Sequence, residues 1–305
     1  MSLSDSDLSD SGDLSDSRDL SSGRAPHRAD LRSAPRGDLA GVLAGARAEG
    51  RAALIGYLPA GYPTVAGAST AMRAMVDAGV DVIEVGLPYS DPLMDGPTIQ
   101  AAAEAALTGG TTTADVLATV GEVAATGAPV VVMSYWNPVE RYGVERFATE
   151  LVAVGGAGVI TPDLIPDEGG PWLAAARARD LDTVFLVAPS STDARIAYTA
   201  EHCRGFVYAA STMGVTGARA SVSGAAQTLV ARVRQVSELP VCVGLGVSSG
   251  AQAAEVAAFA DGVIVGSAFV RLLLDASSSA AGIDAVAALA AELAAGVRAR
   301  ADLRG

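Results

Sequence analysis

From about residue 37 onward, short β-branched runs alternate with longer Ala/Leu/Arg stretches of helical period. Eight runs have strand character: Ala53-Leu58, Val82-Gly86, Val130-Tyr135, Gly158-Pro162, Thr183-Ala188, Gly205-Ser211, Val241-Gly246 and Gly262-Gly266. The intervals between them hold helix-like segments, among them Thr64-Ala78, Gly143-Val154, Pro171-Arg179 and Gly250-Phe259. Such alternation implies parallel strands, because a parallel pair needs a crossover connection where an antiparallel pair needs only a hairpin. Eight units in roughly 250 residues predict an α/β fold of the (β/α)₈ or TIM-barrel type. A doubly wound open sheet is the alternative, and the lack of G-x-G-x-x-G after the first strand weakens its dinucleotide-binding form. Asp38-Gly50 predicts an extra helix that plugs the barrel bottom, and Ile283-Arg300 a closing helix.

The first 22 residues break this pattern, being nearly all Ser, Asp, Leu and Gly in an imperfect repeat. They carry too little apolar surface to offset the entropy of ordering, so residues 1–36 are expected to be a disordered acidic tail ahead of a single domain at 37–305. A solubilising extension explains such a tail better than a recognition motif does. It lacks the basic start and continuous apolar stretch of a secretory signal, and no later apolar run reads as long and unbroken enough to span a membrane. A formal net charge of −13 argues against a nucleic-acid surface. Cys203 and Cys242 show no C-x-x-C spacing, which fits small apolar roles in a reducing compartment, and the expected location is the cytoplasm.

Chemistry enters at residues 82–97, where an apolar strand carries one carboxylate, Glu84, and runs into a Pro/Gly-stiffened loop that carries another, Asp95. A carboxylate inside a β-branched run is costly to bury unless it is paired or catalytic. On this segment alone, an acid/base pair and an ion-paired core glutamate beside ordinary turn residues stand level. All 21 basic residues are arginine, so no side-chain amine exists for an imine, for anchoring pyridoxal phosphate or for a P-loop. The two histidines, His27 and His202, lie far apart and outside any ligand-spaced cluster, so no metal site is expected. Two late strand-to-helix junctions, Gly244-Leu-Gly246 and Gly266-Ser267, have the form of phosphate cradles. Each is weak alone, but adjacent strands 7 and 8 are where this architecture binds phosphate. The glycine-hinged Ser211-Arg219 reads as a lid over the mouth. Tyr208 precedes it, and Tyr135, Trp136 and Asn137 sit at the end of the third strand, so that aromatics cluster at strand ends as a flat apolar ligand would need.

Taken together, these motifs resemble the tryptophan synthase α-subunit family over roughly residues 37–300. The resemblance rests on Ile83-Glu-Val-Gly-Leu-Pro-Tyr-Ser-Asp-Pro-Leu-Met-Asp-Gly-Pro97, Met133-Ser-Tyr-Trp-Asn-Pro138, Thr161-Pro-Asp-Leu-Ile-Pro-Asp-Glu168, Gly205-Phe-Val-Tyr208, Gly214-Val-Thr-Gly217, Gly244-Leu-Gly246 and Asp261-Gly-Val-Ile-Val-Gly-Ser267. It implies retro-aldol cleavage of indole-3-glycerol phosphate to indole and glyceraldehyde 3-phosphate, without metal or imine. It further implies Glu84 as general acid/base and Asp95 as partner of the indole N–H. Tyr135 and Tyr208 would contact substrate, Gly217, Gly246, Gly266 and Ser267 would hold phosphate, and Thr216 would meet Asp95 from the lid. No cofactor is implied in this chain; pyridoxal phosphate would belong to a β subunit in an α₂β₂ assembly. Tyr89 and Leu245 replace common phenylalanines, and neither touches the implied chemistry.

Three readings remain open on sequence alone: an α subunit passing indole to its partner, a stand-alone lyase releasing free indole, and a weakly catalytic subunit that activates or scaffolds. A different phosphate-binding barrel enzyme is a distant fourth. The acidic tail has no apolar periodicity with which to dock. Deleting residues 2–22 should therefore leave the melting temperature and lyase activity unchanged; a lowered melting temperature or lost partner binding would show the tail to be structural.

Overall fold

The computed structural model describes residues 36–210, 219–244 and 246–299. Its eight strands pair in chain order, all parallel, and the eighth returns to the first to close a barrel. They are β1 (Ala53–Pro59), β2 (Val82–Gly86), β3 (Val130–Met133), β4 (Gly158–Thr161), β5 (Asp182–Val187), β6 (Val207–Ala210), β7 (Val241–Gly244) and β8 (Gly262–Val265). Helices α1 (Leu39–Ala48), α2 (Val65–Asp77), α3 (Pro97–Thr108), α4 (Thr113–Ala124), α5 (Trp136–Tyr142) and α6 (Val144–Ala153) precede β4. Then come α7 (Gly170–Ala178), α8 (Asp193–His202), α9 (Arg219–Arg234), α10 (Gly250–Ala257), α11 (Ser267–Leu274) and α12 (Ser279–Arg298). The acidic tail expected at 1–36 lies outside the described residues except for Arg36, as does the expected lid segment up to Ala218.

Alternation along each strand builds two cores. On β1, Leu54 and Leu58 face the helix layer, while Ala53 and Ile55 face the barrel interior; on β2, Ile83 and Val85 face out and Val82 faces in. The interior is filled by Ile55, Val82, Val131, Val184, Phe206, Cys242 and Ile264, and α1 closes its lower end with Leu39, Leu43 and Ala46. The plug helix expected at 38–50 is therefore present. Acidic residues at strand starts tie this end together. Asp81 accepts from both terminal nitrogens of Arg51, at 2.8 and 2.9 Å, and from the Leu54 amide at 2.8 Å. Asp261 accepts from the Val241 amide at 3.0 Å and pairs with Arg47 of α1 and with Arg234.

Where boundaries differ from the sequence reading, local geometry gives the reason. Strand 6 excludes Gly205, whose φ of +81° is a left-handed conformation, and strand 7 stops before Gly246, at φ +65°. Tyr135 is not a strand residue. It forms the N-terminal boundary of α5, and Pro138 is tolerated as the third helical residue because the first amides of a helix have no intrahelical partner. The interval between β2 and β3 holds two helices, separated at Gly110 (φ +83°) and restarted by a capping box between Thr112 and Asp115. The closing helix starts at Ser279, four residues earlier than expected, because the Ser278 hydroxyl caps it.

One expectation needs correction. With a mean hydropathy of 1.6 over a 20-residue helix, α12 is long and apolar enough by composition to cross a membrane. Its Val286, Ala290, Leu293 and Val297 are instead buried in the outer core.

Helices α10 and α12 approach so closely that a Cβ on Gly296 would collide with the Gly250 carbonyl oxygen. Overpacking a contact that cannot yield costs about 1–3 kcal/mol, so Gly296→Val should lower the urea midpoint accordingly. Gly45 in α1 has open space around it, and Gly45→Ala should stabilise by about 0.5–1 kcal/mol. Equal effects at the two sites would contradict the packing described.

Candidate active site

The upper end of the barrel is an open cavity of about 500 Å³, and the strand ends and the loops after them supply its walls. Glu84 projects into it from β2, only 2% exposed, with cross-strand neighbours Tyr57 on β1 and Val131 on β3. Its Oε2 has no hydrogen-bond partner. Burial, helped by the nearby Asp95 charge, pushes the carboxyl up to about 8. At neutral pH Glu84 is therefore mostly protonated and can donate a proton.

Asp95 lies on the loop between β2 and α3, just before Gly96 and Pro97 start that helix. Partial burial raises its pKa, and a hydrogen bond from Tyr135 works in the opposite direction. The Tyr135 hydroxyl also accepts the Met94 amide at 2.9 Å, so one side chain grips two consecutive loop residues. Tyr135 is buried behind this loop and is not among the cavity walls. Its ring packs on Tyr89 with centroids 5.3 Å apart, and Asn137 donates to the Tyr89 hydroxyl at 3.1 Å. The Trp136 amide donates to Asp163 at 2.9 Å, linking the loops after β3 and β4.

On the side formed by β7 and β8, the cavity is bounded by Gly246, Gly266 and Ser267, with Arg271 one turn further along α11. Gly266 caps α11 without a side-chain hydrogen bond, which leaves the amides of the first turn free for an acceptor. Arg271 donates to the Thr98 hydroxyl at 3.4 Å. Met133, Leu186 and Ile264 add apolar side chains to the cavity wall. Tyr208 stands on β6 and faces Glu84 from across the barrel. Burial first and the Glu84 charge second keep its phenol neutral. A Cβ on Gly244 would collide with the Tyr208 hydroxyl, and a Cβ on Gly86 with that of Tyr57. Strand-end glycines thus make room for two tyrosines.

The structure brings together Glu84, Asp95, Tyr208, Gly246, Gly266 and Ser267. Thr216 and Gly217 lie outside the described residues. Sequence reading passed over Tyr57, Met133, Leu186, Ile264 and Arg271. Tyr57 was detectable from two-residue alternation with the inward Ile55, and Arg271 from its helical spacing of four from Ser267. Among the described residues, no group of three or more His, Cys, Asp or Glu side chains converges as a metal site would require.

A protonated carboxyl, a second carboxylate, an apolar slot and a helix N-terminus in one cavity define a (β/α)₈ acid/base enzyme for an apolar substrate with an anionic end. The family model described as tryptophan synthase alpha chain matches residues 43–298. The chain is 66% identical over 253 residues to the tryptophan synthase alpha chain of Salinispora arenicola, covering 83% of this chain and 95% of that one. It is 62% identical over 260 residues to the Nocardia farcinica protein of the same name, covering 85% and 96%. Among solved structures, tryptophan synthase from M. tuberculosis in its aminoacrylate-bound form superposes with a TM-score of 0.78 at 56% identity, covering 85% of this chain and 98% of that one. A tryptophan synthase subunit alpha from Legionella pneumophila does so with the same score at 31% identity, covering 85% and 97%.

The chain belongs to the tryptophan synthase alpha chain family. It is the carbon–carbon lyase component that cleaves indole-3-glycerol phosphate to indole and glyceraldehyde 3-phosphate, it partners a β subunit, and pyridoxal phosphate belongs to that subunit. Of the readings left open by the sequence, this membership favours the α subunit that hands indole to its partner.

Proposed function

We propose that Glu84 and Asp95 divide the retro-aldol reaction between them. Protonated Glu84 delivers its proton to ring carbon 3, which turns the indole into an electron sink and places positive charge near its nitrogen. Asp95 accepts the ring N–H and stabilises that charge as it develops. Glu84, now a carboxylate, removes the proton of the hydroxyl on the ring-attached carbon. The C–C bond breaks, its electrons return to the ring, and Glu84 ends protonated as it began. The observation that supports this reading is the buried Glu84 carboxyl, poised near pH 8 with an unpartnered oxygen beside a second carboxylate.

Tyr208 positions the substrate against Glu84. Tyr135 acts one step back, by holding Asp95 and its loop in place. Gly246, Gly266 and Ser267 bind the phosphate through backbone amides and the serine hydroxyl. Roles for Thr216, on a closing lid, and for Gly217, at the phosphate, rest on the family resemblance alone.

Indole leaves through the barrel mouth, where Leu93 (82% exposed), Met94 (56%) and Ile165 (40%) offer the β subunit an apolar face in an α₂β₂ assembly. A cytoplasmic location is supported by two buried, unpaired cysteines, Cys203 and Cys242.

With the β subunit present, Glu84→Gln should lower the rate of indole formation by about 10²–10⁴ while substrate binding persists. Asp95→Asn should lower kcat more than it raises KM, because its charge acts on the transition state. Near-normal turnover in the first variant, or a pure KM effect in the second, would return these residues to structural roles.

A further inference from the structure

The Tyr57 ring stretches across the barrel wall between two neighbouring strands. At one end, a Cβ on Gly266 of the β8 side would come within 3.0 Å of ring atom Cδ1; at the other, a Cβ on Gly86 of β2 would collide with the hydroxyl. The hydroxyl therefore reaches the β2 side, on the inward face that also carries Glu84, the register partner of Tyr57. Tyr57 lines the cavity. Burial, and then the charges of Asp95 and Glu84, raise its pKa well above the ordinary phenol value, so it stays a neutral hydrogen-bond donor.

Strand order decides what lies above it. Closure of the barrel sets β1 between β8 and β2, hence Tyr57 between the Gly266-Ser267 cradle and Glu84. A substrate with its phosphate on that cradle and its ring carbon at Glu84 must run its glycerol chain across Tyr57. We infer that Tyr57 is a specificity-determining residue whose hydroxyl hydrogen-bonds the glycerol chain of the substrate. The inference rests on the proposed placement of phosphate and ring, and it explains why Gly86 and Gly266 both lack side chains: they accommodate this phenol in addition to any role toward phosphate.

The test compares Tyr57→Phe with the unaltered chain, each with its β subunit, on two ligands. One is indole-3-glycerol phosphate; the other is 3-(indol-3-yl)propyl phosphate, which keeps ring, chain and phosphate but lacks both hydroxyls and is read as a competitive inhibitor. Loss of one neutral hydrogen bond should lower kcat/KM for the substrate by about 3–10-fold. Inhibition by the deoxy compound should stay within about twofold, since it never made that bond. Equal losses on both ligands, or no loss on either, would overturn the inference and leave Tyr57 a packing residue. Failure of the underlying placement looks different: the deoxy compound would not compete even against the unaltered chain, and the inference would fall with it.

Discussion

A carboxyl group inside a closed parallel barrel must be neutral or opposed by a cation, and no ion pair among the described residues includes Glu84. The rest of the upper barrel is arranged around that constraint. Glu84 is buried between the cavity's tyrosines and the apolar interior below, and that burial keeps the proton on it at neutral pH. Asp95 sits close enough to raise the Glu84 pKa further, yet its own environment is more open and includes a hydrogen bond from Tyr135. Two carboxyl groups in unlike surroundings can serve as an acid and a charge stabiliser, the division that the proposed mechanism uses.

The scaffold meets this demand by separating stability from chemistry. Below the site, α1 and the Arg–Asp pairs at Asp81 and Asp261 fix the strand starts, and the interior is continuous hydrocarbon. Above it, β2 ends in Gly86 and β7 in Gly244, and Gly266 follows β8; a Cβ at each would meet the phenol ring of Tyr57 or Tyr208. Gly86, Gly244 and Gly266 thereby make room for Tyr57 and Tyr208 in the cavity wall. Tyr135 shows the same economy one layer out, since it organises the Asp95 loop from behind and leaves the cavity wall to others.

Much of this was legible in the sequence, for identifiable reasons. β-Branched runs of five to seven residues flanked by Gly and Pro marked all eight strands, because a parallel strand buried on both faces has little polar content. Glu84 stood out as the one charge in such a run. Errors arose where backbone conformation, not composition, ends an element: Gly205 and Gly246 adopt left-handed φ, and Ser278 starts a helix that apolar spacing placed later. Tyr135 looked like a strand terminus because it ends the third apolar run. Its actual place depends on the Met94 amide, 41 residues earlier in the chain, which local pattern cannot reveal. Tyr57 could have been placed on the inward face by its alternation with Ile55, but its position beside Glu84 comes from strand register and closure against β8.

Proton delivery depends on the protonation state of one side chain, which isotope-edited NMR of the glutamate carboxyl carbons reads directly, with Glu84→Gln used to assign the resonance. Folding raises this pKa, so Glu84 should remain protonated through neutral pH and titrate near 8. The linked stabilisation should be complete below about 4.5, the ordinary value, and lost as pH climbs through about 8. A Glu84 resonance that titrates near 4.5 in the folded chain would mean that the carboxyl is solvated or paired, and would contradict its assignment as the proton donor.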